Sequence, residues 1–238
     1  MQPHTRNMRA MFDRVAARYD LLNTLCSLGL HKRWRKVAMG FCAKRTGRAL
    51  DLCTGTGDWA IALRENGPFV VGLDVSPRML GLARQKMGPS ARLVMGDALR
   101  LPFADACFDL VTIGFSLRNV RPIHALFEEV KRVLRPGGVF VSLELTRPSA
   151  PMLALLHRLY LRVAVLALGK LSAVPAYRYL ADSILEFPSA EEVAAQLTQA
   201  GLNDVRFVPL TGGIATVHVA SVGPHSAAKS TAEGQCVS

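Results

Sequence analysis

Hydrophobic and polar positions change their period along this chain. Within residues 1–46, Met11, Phe12, Val15 and Ala16, then Tyr19, Leu22 and Leu25, recur at helical spacing, so this stretch is read as helical. Beyond it, short apolar runs alternate with helical patterns. Strands are predicted at 48–53, 69–74, 91–95, 108–114 and 138–145, and helices at 57–66, 77–87 and 121–134. Ser76-Pro77 opens one helix with proline in its first turn. Arg135-Pro136-Gly137-Gly138 ends another and turns into the next strand. Such a rhythm builds a parallel sheet covered on both faces.

The segment Met152 to Val174 breaks the rhythm. Leu155, Leu156, Leu159, Tyr160, Val163 and Leu166 are read as one apolar face, while His157, Arg158, Arg162 and Lys170 interrupt the run. That predicts an amphipathic helix rather than a membrane span. A further helix fits 189–200, and two strands, Val205 to Leu210 and Ile214 to Val222, flank Thr211-Gly212-Gly213 as a hairpin. The predicted fold is α/β: a doubly wound, Rossmann-like, seven-stranded and mostly parallel sheet, with an antiparallel terminal hairpin and an added helical lid at about 150–185. Residues 1–46 would cover the active site, 47–222 would form the ligand-binding domain, and 223–238, rich in Ser, Ala, Gly and Lys, would be a disordered tail.

The predicted strand ends carry the candidate chemistry. Leu50-Asp51-Leu52-Cys53-Thr54-Gly55-Thr56-Gly57-Asp58 is an apolar run that meets an acid and then turns through two glycines. Asp74 ends the second run, Gly96-Asp97-Ala98 the third, and Gly114-Phe115-Ser116-Leu117-Arg118-Asn119 the fourth. Each turn alone could be an ordinary cap, and Gly55, Gly57 and Ala60 also satisfy a dinucleotide fingerprint. Four in register point to a nucleoside-type ligand at one sheet edge. Asp51 beside the first turn would repel a pyrophosphate and attract a cation, so S-adenosylmethionine fits better than NAD. On that reading Asp51 and the backbone of Gly55, Thr56 and Gly57 face its methionine part, and Asp74 takes the ribose hydroxyls. Asp97 and the Ala98 amide meet adenine, Gly114 leaves room for the sulfonium and methyl, and Met79 packs on adenine or is plain core.

Composition narrows the partners. With 29 Lys and Arg against 18 Asp and Glu, the net charge is +11, densest at His31-Lys32-Arg33-Trp34-Arg35-Lys36. No basic stripe interleaves with aromatics, which disfavours nucleic acid. The five cysteines are scattered and lack CxxC spacing, which argues against a disulfide framework and a zinc site and suits a reducing cytoplasm. The first residues lack the apolar core of a leader peptide.

The pattern Asp51-x-x-x-Gly55-x-Gly57, Asp74, Gly96-Asp97-Ala98 resembles class I S-adenosylmethionine-dependent methyltransferases. Tyr19 to Trp34, Arg132 to Thr146, Tyr177 to Ile184 with Phe187-Pro188, and Thr211 to Ile214 resemble the quinone C-methyltransferases of menaquinone and ubiquinone synthesis. Leu22, Gly114, Ser116, Arg135 and Thr146 depart from that family's usual residues.

The resemblance implies methylation of a ring carbon of a reduced polyprenylated quinol, demethylmenaquinol first. The methoxy-benzoquinol of ubiquinone synthesis, or another small lipid, is the alternative. No metal is implied. Arg118 and Asn119, with Tyr19 and Asp20, are the candidate catalytic residues. Arg118 would stabilise a phenolate or orient water rather than act as a base, or simply pair with a carboxylate such as Glu144. His31 is either a proton carrier or a structural histidine. The expected partners are the quinol and, transiently, an anionic membrane surface on the cytoplasmic side, with a homodimer left open.

Overall fold

The computed structural model describes residues 2–42, 47–65, 69–172 and 176–223; the side chains of Leu22 and of residues 164–178 also lie outside it. The N-terminal segment forms α1 (Pro3–Val15), α2 (Tyr19–Cys26) and α3 (Leu30–Cys42). A short 3-10 turn at Ala16–Arg18 separates the first two, and Leu28 and Gly29, both at positive φ, separate the last two. The sheet region follows as β1 (Arg48–Leu52), α4 (Asp58–Glu65), β2 (Phe69–Asp74), α5 (Pro77–Met87) and β3 (Arg92–Met95). Next come β4 (Phe108–Gly114), α6 (Ile123–Val133) and β5 (Leu134–Leu145). The chain finishes with α7 (Pro151–Ser172), α8 (Ala176–Glu186), α9 (Ala190–Gln199), β6 (Asn203–Leu210) and β7 (Ala215–Ser221).

The seven strands pair in the order β3-β2-β1-β4-β5-β7-β6, and β7 runs antiparallel to both of its neighbours. Strand order reverses between β1 and β4, which opens the crevice where ligands of such sheets bind. Alternate side chains feed two cores. Leu50, Leu52, Val111, Ile113 and Phe140 pack against Phe127 and Val130 of α6 and Val193 and Leu197 of α9. Ala49, Leu110, Val141, Leu143 and Val217 pack against Trp34 and Ala38 of α3, Trp59 and Leu63 of α4 and Ala83 of α5. Burial on both faces is why these strands read as nearly continuous apolar runs.

One strand boundary changes here. Strand β5 starts at Leu134, before the Pro-Gly-Gly stretch, because register slips from the pair Phe108–Leu134 to Leu110–Val139 and absorbs the extra residues as a bulge. A Cβ on Gly138 would lie 2.7 Å from the Arg135 carbonyl oxygen, so the bulge needs glycine there. In α7, His157 and Leu161 are buried, while Leu155, Leu156, Leu159 and Val163 are all more than half exposed. The inward partners are Ala181 and Ile184 of α8. The tail at 224–238 lies outside the described residues.

Candidate active site

Strand ends β1 to β4 and the N-terminal helix enclose a first cavity. Gly55, Asp74, Met79, Asp97, Ala98 and Ser116 line it, and Met8 and Phe12 of α1 close it. Asp74 is nearly buried and accepts from the Gly55 amide at 2.9 Å and the Ser76 amide at 2.8 Å. Burial raises its pKa, against those amides, which lower it. Each oxygen keeps acceptor capacity for a further donor. Ser76 caps α5, accepting from the Met79 amide, and its hydroxyl donates to Asp13, which ties α1 over the site. Asp97 accepts from the Leu99 amide at 3.1 Å. Two carboxylates and no basic side chain line this cavity. It therefore suits a cation and opposes a pyrophosphate, with apolar surface from Val75, Met79 and Leu99 for a flat ring.

Other expected contacts lie outside its wall. Asp51 sits beneath the glycine turn, almost wholly buried, and accepts from the hydroxyls of Thr54 at 2.6 Å and Thr112 at 2.9 Å. Burial pushes its pKa up to about 7, with the two threonine hydroxyls opposing the shift. Gly57 serves helix packing: a Cβ there would meet Met87 Sδ at 3.0 Å and Ala83 Cβ at 3.2 Å. Gly114 makes room for a neighbour rather than a ligand, because a Cβ would overlap the Trp59 indole nitrogen. That Trp59 N–H is buried without a partner. The Thr56 hydroxyl faces outward into a polar cluster, donating to Asp20 at 2.7 Å and accepting from Lys86 at 2.9 Å.

Asp20 belongs to that same cluster. It pairs with Lys86, which also holds Asp58 at 2.9 Å, and Asp58 holds Arg35 at 3.0 Å. One residue along a helix turns the side chain by about 100°, so Tyr19 faces inward and Asp20 does not. Asp20 ties α2 to α5 and lines an outer recess with Lys32, Arg35 and Asp58, away from the cavities that hold Arg118.

A second cavity, of about 270 Å³, opens among α2, α3, α7 and α8. Its walls are mostly apolar: Leu30, Trp34, Phe115, Leu145, Leu161 and Ile184 are representative. Trp34 is fixed by a hydrogen bond from its indole to Thr211 at 2.8 Å, and the Tyr160 hydroxyl donates to the Cys26 carbonyl at 3.2 Å. Two histidines stand in this wall, His31 and His157. Burial lowers the pKa of each, helped at His31 by Arg35 and Lys32.

A smaller recess joins the two cavities. Tyr19 and Asn119 line both it and the first cavity; Arg118, Asn23 and Cys26 line both it and the second. Arg118 forms an ion pair with the fully buried Glu144, which also accepts from the Arg118 amide at 3.0 Å. The guanidinium further donates to the Phe115 carbonyl at 2.7 Å and Ser183 at 3.3 Å. Among the described residues it is the one guanidinium or ammonium in the wall of the apolar cavity. Asn119 accepts from Tyr179 at 2.9 Å, and its Nδ2 is buried with no partner. Tyr19 keeps its proton because burial raises its pKa, opposed by Asn23 and Arg118. The junction thus presents a cation, a free amide donor and a phenol between an acid-lined cavity and a dry one.

Sequence reasoning placed Arg118, Asn119, Tyr19 and Glu144 in one neighbourhood, and the structure gathers them. It gave no role to His157, Ser183 or Tyr179. The signal for His157 was a lone imidazole in an otherwise apolar helical run; Tyr179 and Ser183 lie in a stretch quoted only for its resemblance.

The chain is similar to known proteins along most of its length. The chain is 42% identical over 222 residues to "Ubiquinone/menaquinone biosynthesis C-methyltransferase UbiE" of Geobacter sp. (strain M21), covering 89% of this chain and 94% of that one. It is 41% identical over 217 residues to the "Demethylmenaquinone methyltransferase" of Staphylococcus aureus (strain JH9), covering 88% and 90%. A crystal structure of a SAM-dependent methyltransferase from Thermotoga maritima shares the fold, with a TM-score of 0.67 at 20% identity, over 90% of this chain and 99% of that one. The sequence pattern of the ubiE/COQ5 methyltransferase family matches residues 1–222, which take in every wall of both cavities and the recess between them, and the chain belongs to that family.

Proposed function

We propose that this enzyme methylates a ring carbon of demethylmenaquinol with S-adenosylmethionine as donor, giving menaquinol. The observation that carries the reading is the junction: Arg118 and Asn119 stand where an acid-lined cavity without basic residues meets an apolar one. Asp74 would hold the ribose hydroxyls, and Asp97 with the Ala98 amide the adenine. When bound, the donor supplies the methyl group: the bond to the ring carbon forms as the sulfur–methyl bond breaks.

The protein's part is to make the ring nucleophilic and keep water out. A quinol ring carbon beside a hydroxyl gains electron density when that oxygen loses its proton. Arg118 stabilises the resulting phenolate, and Glu144 holds the guanidinium in place. The Asn119 amide offers a second donor to the oxygen or to the donor's carboxylate. Leu30, Trp34, Phe115 and Ile184 clamp the ring system and exclude water.

The exposed stripe of α7 supports membrane-side loading. Leu155, Leu156, Leu159 and Val163 join Leu21, Leu25 and Leu28, and Leu28 and Leu156 also line the apolar cavity. Arg158 and Arg162 flank the stripe, exposed. An apolar rim with basic neighbours suits a peripheral contact with an anionic bilayer that delivers the prenyl tail. Among the described residues no helix is long and apolar enough to cross a membrane.

The test is transfer of labelled methyl to reduced demethylmenaquinone and to reduced demethylated methoxy-benzoquinone, side by side, each with a short prenyl tail. Label in the naphthoquinol alone supports the assignment, and label in both makes the enzyme serve two quinones. Label in neither, with donor binding intact by calorimetry, defeats it.

A further inference from the structure

Exchanging a ring hydrogen for methyl releases one proton per turnover, and the mechanism above leaves that proton without a carrier. Arginine cannot take it, since a guanidinium does not give up its own proton in a protein. Tyr19 is held in its neutral form. His31 is placed differently from every other residue of the site. It lines the apolar cavity and also the outer recess of Asp20, Thr24, Lys32, Arg35 and Asp58, and among the described residues no other lines both. The imidazole is therefore part of the wall between a dry chamber and a charged, open surface.

Its tautomer follows from its neighbours. Ser27 has one hydroxyl proton, donated to the Asn23 carbonyl at 2.6 Å. The Ser27 oxygen lies 2.7 Å from His31 Nδ1, and with the hydroxyl proton on the Asn23 carbonyl Nδ1 carries the hydrogen of that contact. Nε2 then holds a lone pair, and the ring's hydrogen bond among the described residues is the one through Nδ1. A neutral imidazole with its δ side anchored and a lone pair on its ε side is the form that accepts a proton. Four charged groups act on it: Lys32 and Arg35 on its own helix disfavour the cation, while Asp20 on α2 and Asp58 on α4 favour it. Burial adds to the first pair, so the imidazole is neutral near pH 7 and ready to accept.

We propose that His31 is the proton acceptor of this reaction and carries the proton through the wall to the outside. The quinol O–H bond breaks toward Nε2, leaving a phenolate beside Arg118 and an imidazolium at His31; once the ring carbon carries the methyl, its C–H bond breaks and that proton restores the ring hydroxyl, so the net proton released is the one on His31. The imidazolium returns its proton to solvent in the recess beside Asp20 and Asp58, and no other reactant is needed. His157, in the same cavity, touches no such recess and does not serve. The inference rests on a phenolic acceptor, as proposed above.

The test compares wild type with His31→Asn, which keeps a donor to Ser27 but cannot be protonated, and with His31→Ala. Thermal midpoints and calorimetric donor affinity establish that each variant folds. In His31→Asn, kcat on reduced demethylmenaquinone should fall by about 10²–10⁴-fold with little change in KM, and the acid limb of its pH profile should vanish. Added imidazole should restore part of the activity of His31→Ala and none of that of His157→Ala. Lys32→Ala should move the wild-type acid limb to higher pH. A second readout needs no turnover: bound 1-naphthol should show its phenolate absorption in wild type and lose it in His31→Asn. If wild type methylates no quinol, the proposed function fails, and the naphthol band still decides this one. Wild-type kcat or an unchanged phenolate band in His31→Asn would overturn it.

Discussion

The two cavities are built by different means. The first is made from strand ends, tight turns and backbone amides, with Asp74 locked between the Gly55 and Ser76 N–H groups. The second is made mainly from faces of α2, α3, α7 and α8, helices that lie before β1 or between β5 and β6, outside the β1 to β5 alternation. Strand ends cannot shift without breaking the sheet, so the first cavity is tied to the fold. Helix faces can be repacked, so the second can be fitted to an acceptor while the sheet stays intact. Only the junction at Tyr19, Arg118 and Asn119 belongs to both.

The sharpest way to break this division is at the junction. Arg118→Ala should lower turnover by about 10²–10³-fold while calorimetric donor affinity stays within a few-fold. It should also cost about 3–5 kcal/mol of stability, because Glu144 is left buried without its cation. Arg118→Ala with Glu144→Gln should recover much of that stability and none of the turnover. If the double variant regains both, Arg118 is structural and the cavities are not coupled through it.

A second prediction concerns the floor of the first cavity. Asp51 has its pKa raised to about 7 from 3.8. Below pH 4 the carboxyl is protonated in both folded and unfolded chains and costs nothing. Between 4 and 7 the unfolded chain ionises while the folded one keeps its proton, so stability falls as pH rises, by about 1.4 kcal/mol per unit. Above 7 the cost levels off near a ceiling of about 4 kcal/mol. Asp51→Asn removes this dependence. Urea midpoints at pH 5, 6, 7 and 8 should show the variant gaining on wild type up to about pH 7, and a constant gap would refute the assignment.

Legibility in the sequence divides along the same line. A strand announces its end by a change from apolar residues to Asp or Gly, and the sheet places those ends together, so Asp74, Asp97 and Ala98 could be placed without coordinates. Backbone direction is less visible than position: Asp51 and Gly114 stand at the right strand ends yet face Thr54 and Thr112, and Trp59. In the helical half the pattern fails for a plainer reason. Helix α7 is apolar on more than one side, so periodicity cannot say which stripe turns inward, and Leu155, Leu156, Leu159 and Val163 are exposed while Leu161 is buried. His157 was hidden by the same ambiguity. Asp20, one helical step from Tyr19, lines the outer recess.

A third prediction separates donor from acceptor binding. Asp74→Ala should weaken donor affinity by about 10²-fold, roughly 2–3 kcal/mol for lost charge-assisted hydrogen bonds, and leave quinol KM nearly unchanged at saturating donor. Unchanged donor affinity would remove Asp74 from the ribose role and detach the first cavity from the donor.

The smallest expected effect tests the outermost part of the second cavity. Leu155 is 67% exposed and does not line the cavity, so nothing in the folded protein depends on it. Leu155→Gln should therefore leave the thermal midpoint, donor affinity and turnover on a short-tailed quinol unchanged, with stability within about 0.5 kcal/mol. If α7 rests on a bilayer, the same change loses roughly 1 kcal/mol of apolar burial there. Binding to vesicles with anionic lipid should weaken by about five-fold, and turnover on quinol embedded in them should fall in step. A loss of stability in solution would mean that a second protein surface covers the stripe, and equal vesicle binding would mean that the lipid does not.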